Sequence, residues 1–282
     1  VDFADEPQFS RIAMYVRGRA WLEDKRKASQ IAGARMPATY VIEKGRWVGK
    51  EPPCDEEAAS LPWFVKEVDR NWGSSVRCCS KPSECLGLTT PDGHFVVQQH
   101  IADPWLTEDG RKCHMKFYVL LISDESGAGW TLYTYRDGYL SISPNRWSAE
   151  DLSAETQVTI IRNERCAGAK TWAAWAEVYP KCRDAVAEVV RQAVDGRMLE
   201  GRAGQRQFEV FSADFIADTA SNVWLLEFNM TPVLRDEAEA PHAHDADMVR
   251  GALSIVFPWD GGSPGLWELA GEFSARDGPA DA

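Results

Sequence analysis

The residues with the most chemistry to offer are Asp214, Glu227 and Asn229, in the stretch FEVFSADFIADTASNVWLLEFNMTP. Residues 208–218 and 223–229 alternate in hydrophobicity, and the run DTASN between them consists of turn formers, a pattern that predicts a β-hairpin. With the turn centred between Ala220 and Ser221, Asp214 lies directly opposite Glu227, and Asn229 points the same way two residues further on. Directly opposed residues have Cβ atoms ~5 Å apart, where like charges destabilise the pair. Two carboxylates and an amide on one face therefore call for a cation. Oxygen ligands suit a hard divalent ion, and Mg²⁺ commonly enters with a phosphate substrate, so a nucleotide site is the first expectation. The alternative is a carboxylate that is protonated or turned to solvent at a sheet edge.

The rest of the chain must supply the elements that position this hairpin. Residues 9–32 read as one or two charged amphipathic helices ending near Gly33. Pro37 and Thr39 precede a short apolar strand, Pro62 introduces the strand WFVKEV, and FVVQQHI is strongly β-prone. KCHMKFYVLLIS and WTLYTYRDGYLSIS read as two strands joined by DESGAG, with Asp137-Gly138 as a tight-turn signal. Residues 171–198 read as a helix that Pro180 begins or kinks, and residues 245–256 as another. From Ser274 onward the tail is small and polar, and disorder is expected. Strands outnumber helices and several are joined as hairpins, so the fold class is α+β and not a doubly wound parallel sheet.

Several further features fit a nucleotide held against antiparallel strands. Lys66 lies among Trp63, Phe64, Val65 and Val68, where a buried charge needs a partner such as a phosphate, unless it faces solvent. The following DRNWGSSV, with Gly73, is a small-residue loop of the kind that folds over phosphates with backbone N–H groups. Gln98, Gln99 and Ile101 fall in a run able to hydrogen-bond an adenine edge and cover its ring; a plain buried or edge strand is the alternative. Lys112, His114 and Lys116 share a strand face that either meets triphosphate or acidic-substrate charge or is simply solvated. His242 and His244 stand in an acidic linker, and zinc would need more converging ligands than they provide.

Composition narrows the function classes. The chain has 282 residues, 44% apolar and 26% charged, ordinary for a soluble globular protein with a large core. No apolar run reaches the ~18 residues of a membrane span, and no signal peptide is evident. The seven cysteines lack paired CxxC spacing and read as reduced thiols, so the expected location is cytoplasmic. A net charge of −12 argues against generic nucleic-acid or anionic-membrane binding and leaves any acidic protein substrate to a local basic patch.

These pieces, in this order, resemble the tubulin–tyrosine ligase family of the ATP-grasp fold, from about Pro37 to Pro258. PATYVI is similar to the family's P-x-T entry strand, and WFVKEVDRNWGSSV lies where the family carries its phosphate lysine and glycine-rich loop. VVQQHIADPWLTEDGRKCHMKFYVLL resembles the V-Q-x-Y-I…G-R-K-F-D-x-R-x-Y-V-L segment, TLYTYRDGYL the Y-x-Y-R-E-G-x-L run, and Asn163 the end of an L-T-N element. FEVFSADFIAD–WLLEFNMTPVL is similar to F-x-x-F-G-x-D-F-x-x-D–W-L-x-E-x-N-x-x-P. The resemblance implies ATP and Mg²⁺ as cofactors. Lys66, Gln98 and Lys112 would contact ATP, with Gly73, Gln99 and Ile101 beside them, and Asp214, Glu227 and Asn229 would hold Mg²⁺. It implies tubulin or another acidic protein as acceptor, a free amino acid as the second partner, and an acyl phosphate between them, with a cytoskeletal location possible. Lys116 is the expected catalytic residue, standing where the family has an arginine; Ser75 replaces a loop glycine, Trp72 precedes Gly73, and Ser141 stands where an arginine is frequent. An arginine-to-lysine change is not neutral where bidentate contacts are needed.

The expected organisation is a helical N-terminal remnant over 1–35, an ATP-grasp-like catalytic domain over 36–262 with antiparallel sheets and flanking helices, and a C-terminal segment over 263–282 that is largely a disordered tail. The leading function is an ATP-dependent ligase of the tubulin tyrosination or glutamylation type. A non-catalytic nucleotide-binding or scaffold member of the same fold is the alternative, with Lys116 and Ser141 in its favour. A retaining glycosidase would also need two carboxyl groups ~5–5.5 Å apart, but leaves Lys66 and Lys112 without a role.

Overall fold

The computed structural model describes residues 11–58, 61–70, 75–159, 166–232, 234 and 244–275. Its elements, in chain order, are β1 (Ile12–Ala13), α1 (Ala20–Glu23), α2 (Lys25–Ala32), β2 (Thr39–Glu43), β3 (Arg46–Val48), β4 (Trp63–Glu67), β5 (Arg77–Cys79), β6 (His94–Gln99), β7 (Arg111–Ser123), β8 (Gly129–Arg146), α3 (Ala154–Gln157), β9 (Cys166–Gly168), α4 (Trp175–Asp195), β10 (Arg206–Ala217), β11 (Val223–Asn229), α5 (Asp245–Val256) and β12 (Trp267–Ser274). The larger sheet runs β1-β10-β7-β8-β12, with β11 also on β10 and β9 also on β8; the smaller runs β3-β2-β6-β4-β5. All pairings are antiparallel except β1 with β10. The α+β class with antiparallel sheets and flanking helices is as the sequence predicts.

The period-two alternation of β7 builds the core on both faces of the larger sheet. Met115, Phe117, Val119 and Leu121 point to one side, where they pack with Val178, Cys182, Val186 and Val189 of α4, residues spaced three and four apart along one helical stripe. Tyr118, Leu120 and Ile122 point to the other side, against Met248, Ala252 and Val256 of α5. The same second face continues toward the start of β7 as Lys116, His114 and Lys112. One strand face thus changes from apolar to basic where α5 stops covering it. The smaller sheet has its own core of Tyr40, Ile42, Trp63, Val65, Phe95 and Val97.

Three local expectations are corrected. The stretch expected as helix over 9–32 is not continuous helix where it is described: Ile12 and Ala13 pair in parallel with Arg206 and Gln207, and α1 starts at Ala20. Asp137-Gly138 is no turn. β8 runs unbroken through it as a bulge opposite β7, with Phe117 paired to Gly138 and Val119 to Thr134. Asp137 Oδ1 accepts from Gly138 N at 2.9 Å, the local bond that makes the dipeptide look like a turn in sequence. Third, β12 follows residue 262 and pairs with β8, so the stretch expected as tail contributes a strand to the larger sheet. Pro180 lies inside α4. From the N-terminal end, Leu22, Ala28, Ile31 and Ala32 share the core of α4.

The bulge depends on close backbone approach at Gly138, where a Cβ would lie 2.2 Å from Lys116 O. Gly138→Ala is expected to push β8 off β7 and to cost about 1–3 kcal/mol, as overpacking does. A urea midpoint unchanged from wild type would contradict this reading of the bulge.

Candidate nucleotide and metal site

The hairpin forms from β10 and β11 with Asp214 opposite Glu227 and Ser212 opposite Asn229, the register that the spacing predicts. Nearer the turn the register shifts: Phe215 faces Leu225, so Leu226 is an extra residue in β11. Asp218 N donates to Asn222 O, and the Asp218 carboxylate accepts from the backbone N–H of Ala220 and Asn222 at 2.9 and 2.8 Å. The turn therefore centres on Ala220, and the bulge restores the pairing of the acids. A bulge places two consecutive residues on one face. Leu226 and Glu227 accordingly both line the cleft, while Leu225 and Phe228 enter the core.

That cleft, about 910 Å³ counting its open mouth, lies between the two sheets. The larger sheet contributes Lys112, His114, Asp214, Ile216 and Glu227, and the smaller Phe64, Lys66, Gln98 and Gln99. Lys25 enters from the first residue of α2, and Gln157 to Thr159 close the wall beyond α3. Asp24 caps α2, its side chain accepting from Arg26 N and Lys27 N, which fixes the start of the helix and so the position of Lys25. Lys25 Nζ stands 3.4 Å from Glu227 Oε2 and donates to the carbonyls of Val68 and Arg70.

Burial sets the electrostatics. Asp214 is 3% exposed, and its carboxyl is pushed up to about 6, first by loss of water and further by Glu227, against the pull of Lys116. Lys116 Nζ is 3.3 Å from Asp214 Oδ1, and His114 Nε2 is 3.7 Å from Oδ2. Apart from the Lys116 ion pair, Asp214 Oδ1 is buried without a hydrogen bond among the described residues, as is His114 Nε2. Lys66 donates to Gln98 Oε1 at 2.7 Å, and burial pulls its ammonium down to about 8. Lys112 donates to Gln157 O at 2.9 Å, lies over the Phe64 ring, and is pulled down to about 7 by burial and by Lys66. Both lysines thus rest on neutral acceptors, and an anion would satisfy them better. His100 and His114 are pulled down to about 3, first by burial, so both imidazoles are neutral near pH 7.

Seven expected site residues meet in this cleft: Lys66, Gln98, Gln99, Ile101, Lys112, Asp214 and Glu227. Gly73, with Trp72, lies outside the described residues. Lys116 does not line the cleft but neutralises Asp214 from the neighbouring strand, where the two are paired in register. Asn229 Oδ1 accepts from Thr231 N at 3.0 Å, a local bond just past the strand end. Gln98 bridges Lys66 and the Thr39 hydroxyl, so its amide positions a lysine instead of standing open to a base edge. His244 is far from zinc-like surroundings: it stacks on Tyr135 and Tyr139, and His242 lies outside the described residues. Lys25 and Gln157 were not foreseen. The signal for Lys25 was its place directly after a capping Asp, but its destination depends on tertiary packing.

The donor set fits a divalent cation at one end and phosphate at the other. Asp214 and Glu227 offer hard oxygens, with the Asn229 amide next in register to Ser212. Among the described residues no group of three or more His, Cys, Asp and Glu side chains converges, so a cation here would need oxygens from the amide, a ligand or water as well. Lys66 faces that end from the smaller sheet and Lys112 lines the same cleft from β7, two amines for phosphate oxygens.

Comparison with known proteins gives the family. The family model described as the tubulin-tyrosine ligase family matches residues 30–163 and 152–261. Protein monoglycylase TTLL8 of Mus musculus is 24% identical over 227 residues, covering 69% of this chain and 26% of that protein. Tubulin monoglycylase TTLL3 of Danio rerio is 24% identical over 218 residues, 65% of this chain and 27% of that protein. Tubulin glycylase 3B of Drosophila melanogaster is 23% identical over 242 residues, 74% of this chain and 31% of that protein. The chain therefore spans about a quarter to a third of the length of these relatives. With matches over most of its length, on an antiparallel α+β frame, the chain belongs to the tubulin-tyrosine ligase family.

Proposed function

We propose that this chain is an ATP- and Mg²⁺-dependent ligase that joins an amino acid to a carboxylate of tubulin or another acidic protein, by way of an acyl phosphate. The observation that carries the proposal is the register of Asp214 against Glu227 at the end of a cleft that also holds Lys66, on the opposite wall, and Lys112, on the same sheet as the acids. In this reading Lys66 and Lys112 hold phosphate oxygens, Gln98 and Thr39 keep Lys66 in place, and Asp214, Glu227 and Asn229 hold Mg²⁺. The ion would neutralise charge on the phosphoryl group in transfer, and the protein would mainly position the reactants. Lys116 holds the charge of Asp214, and the neutral imidazole of His114 adds no cation beside it.

Because the relatives are named as glycylases, glycine is the first amino acid to test, ahead of the tyrosine or glutamate that the sequence resemblance suggests. They also make tubulin the first acceptor to test, and with it a cytoskeletal location. The catalytic unit would take in residues 36–262 together with α2, which supplies Lys25, and β12, which completes the larger sheet. Among the described residues no helix is long and apolar enough to cross a membrane.

A second reading has one specific observation in its favour. Both acids already have internal cations, Lys116 for Asp214 and Lys25 for Glu227, so the fold is neutralised without a metal. A nucleotide-binding scaffold would then bind ATP in calorimetry and release no ADP in response to any amino acid.

Two measurements test the proposal. Asp214→Asn and Glu227→Gln are each expected to lower amino-acid-dependent ADP release and incorporation of labelled glycine, tyrosine or glutamate into tubulin at least about a hundredfold, with the melting transition retained. Full activity in both variants would remove the metal assignment. The second concerns pH. Lys112 and Lys66, pulled down to about 7 and about 8, carry their charge only below those values in the free protein. Binding of metal-free ADP should therefore weaken as pH rises from 7 to 9, approaching about tenfold per pH unit for each lysine above its pKa, with protons taken up on binding. An affinity flat across that range, measured by titration calorimetry in buffers of different ionisation enthalpy, would contradict the lysine assignment.

A further inference from the structure

The smaller sheet carries a thiol pair that the ligase reading does not use. Cys79 ends β5, paired with Trp63 of β4, and Cys85 lies in the short 3-10 helix that follows, over Pro82–Leu88. Their sulfurs are 3.4 Å apart, six residues separate them in sequence, and each thiol also points at the carbonyl of Lys81, at 3.4 and 3.8 Å. Both are buried, at 5% and 0% exposure, in a cluster with Tyr40, Trp63 and Val65. Packing therefore holds the two side chains facing each other, and no loop has to move far for them to meet. A disulfide needs sulfurs about 2.05 Å apart, so closure takes a side-chain rotation that brings them roughly 1.4 Å closer.

We propose that Cys79 and Cys85 form a thiol-oxidation site, which a peroxide converts to an intrachain disulfide joining the edge strand β5 to the following helical turn. The Cys79 thiolate attacks the peroxide: the O–O bond breaks, an S–O bond forms, and the departing hydroxide leaves as water after taking up a proton. Cys85 sulfur then attacks the Cys79 sulfenic sulfur; the S–O bond breaks, the S–S bond forms, and the Cys85 proton leaves with the hydroxide as a second water. The two thiols lose two electrons and the peroxide gains two. The roles follow from exposure and from the contact between the sulfurs. Either thiol can donate in that contact, but Cys79 is the one that peroxide can reach, at 5% exposure against 0% for Cys85, and the contact pushes the Cys79 thiol down and the Cys85 thiol up, so Cys79 is the nucleophile and Cys85 the resolving thiol.

The cross-link fastens a short edge strand. β5 has three residues and, among the described residues, pairs only with β4, the strand that holds Lys66, so the oxidised form should have a stiffer outer edge beside the cleft. Closing a loop of this size restricts the opened chain enough to slow its local opening by about tenfold or more.

The test uses the whole chain exposed to hydrogen peroxide, followed by alkylation after denaturation. Two fewer alkylatable thiols per molecule are expected, with full recovery on adding dithiothreitol. In a Cys78→Ser variant, which removes the adjacent thiol, cleavage after Glu84 should yield the Cys79 and Cys85 peptides joined, 2 Da lighter than the reduced pair. Native cleavage after Glu84 should slow about tenfold in the oxidised protein. Cys85→Ser should abolish the paired loss; if that variant does not fold, the peptide map of Cys78→Ser decides alone. Retention of both thiols under the same exposure, or a cross-link through Cys54, would overturn the proposal.

Discussion

Asp214 is the constraint around which the structure is arranged. A carboxylate with 3% exposure is tolerated only where opposite charge or a bound cation offsets the loss of water. The larger sheet meets that demand by register. Lys116 of β7 faces Asp214 on one side and Glu227 of β11 faces it on the other, so one cation and one further acid are fixed at a single level of the sheet. The smaller sheet then covers this level with Lys66 and Gln98, and α2 brings Lys25 to Glu227. Six elements from distant parts of the chain are thereby committed to one small volume by charge.

The same strand face serves two purposes along its length. From Tyr118 to Ile122, β7 supplies apolar side chains to α5; at Lys112 and His114 it supplies nitrogen to the cleft, and at Lys116 to Asp214. The pleat keeps these residues in line, and the covering element decides the chemistry: a helix over the apolar half, a second sheet with polar side chains over the basic half. Lys112 and Lys66 remain partly starved of charge partners, with neutral oxygens as acceptors and depressed ammonium pKa values. Sites built this way favour polyanions, because a phosphate relieves a penalty that the fold has already incurred.

Local pattern made part of this legible in the sequence. The hairpin acids sit within one short segment, so alternation plus a turn signal sufficed to pair Asp214 with Glu227, and the shared face of Lys112, His114 and Lys116 followed from period two. Other features depend on contacts between remote segments. Nothing near Lys25 says that α2 will dock beside β11, and nothing in WELAGEFS says that it pairs with residues 129–135. Asp137-Gly138 was misread for a related reason. Its own hydrogen bond imitates a turn, whereas the glycine is there because Lys116 O comes too close for any side chain. Gln98 was legible as a site residue but not in its role, which is set by Thr39 and Lys66 from two other strands.

The extra residue at Leu226 has a consequence for how this hairpin can vary. The turn over 218–222 is centred on a residue, whereas the paired acids require a centre between residues, and the bulge reconciles the two. Turn and bulge are therefore a matched set of lengths. Shortening the turn by one residue while keeping the bulge would rotate Glu227 into the core and bring an apolar neighbour to the cleft. A compensating deletion at Leu226 would return it. Insertions and deletions in this loop are thus constrained in pairs, although neither position touches the acids across the strands, and the spacing between Asp214 and Glu227 behaves as one inherited quantity.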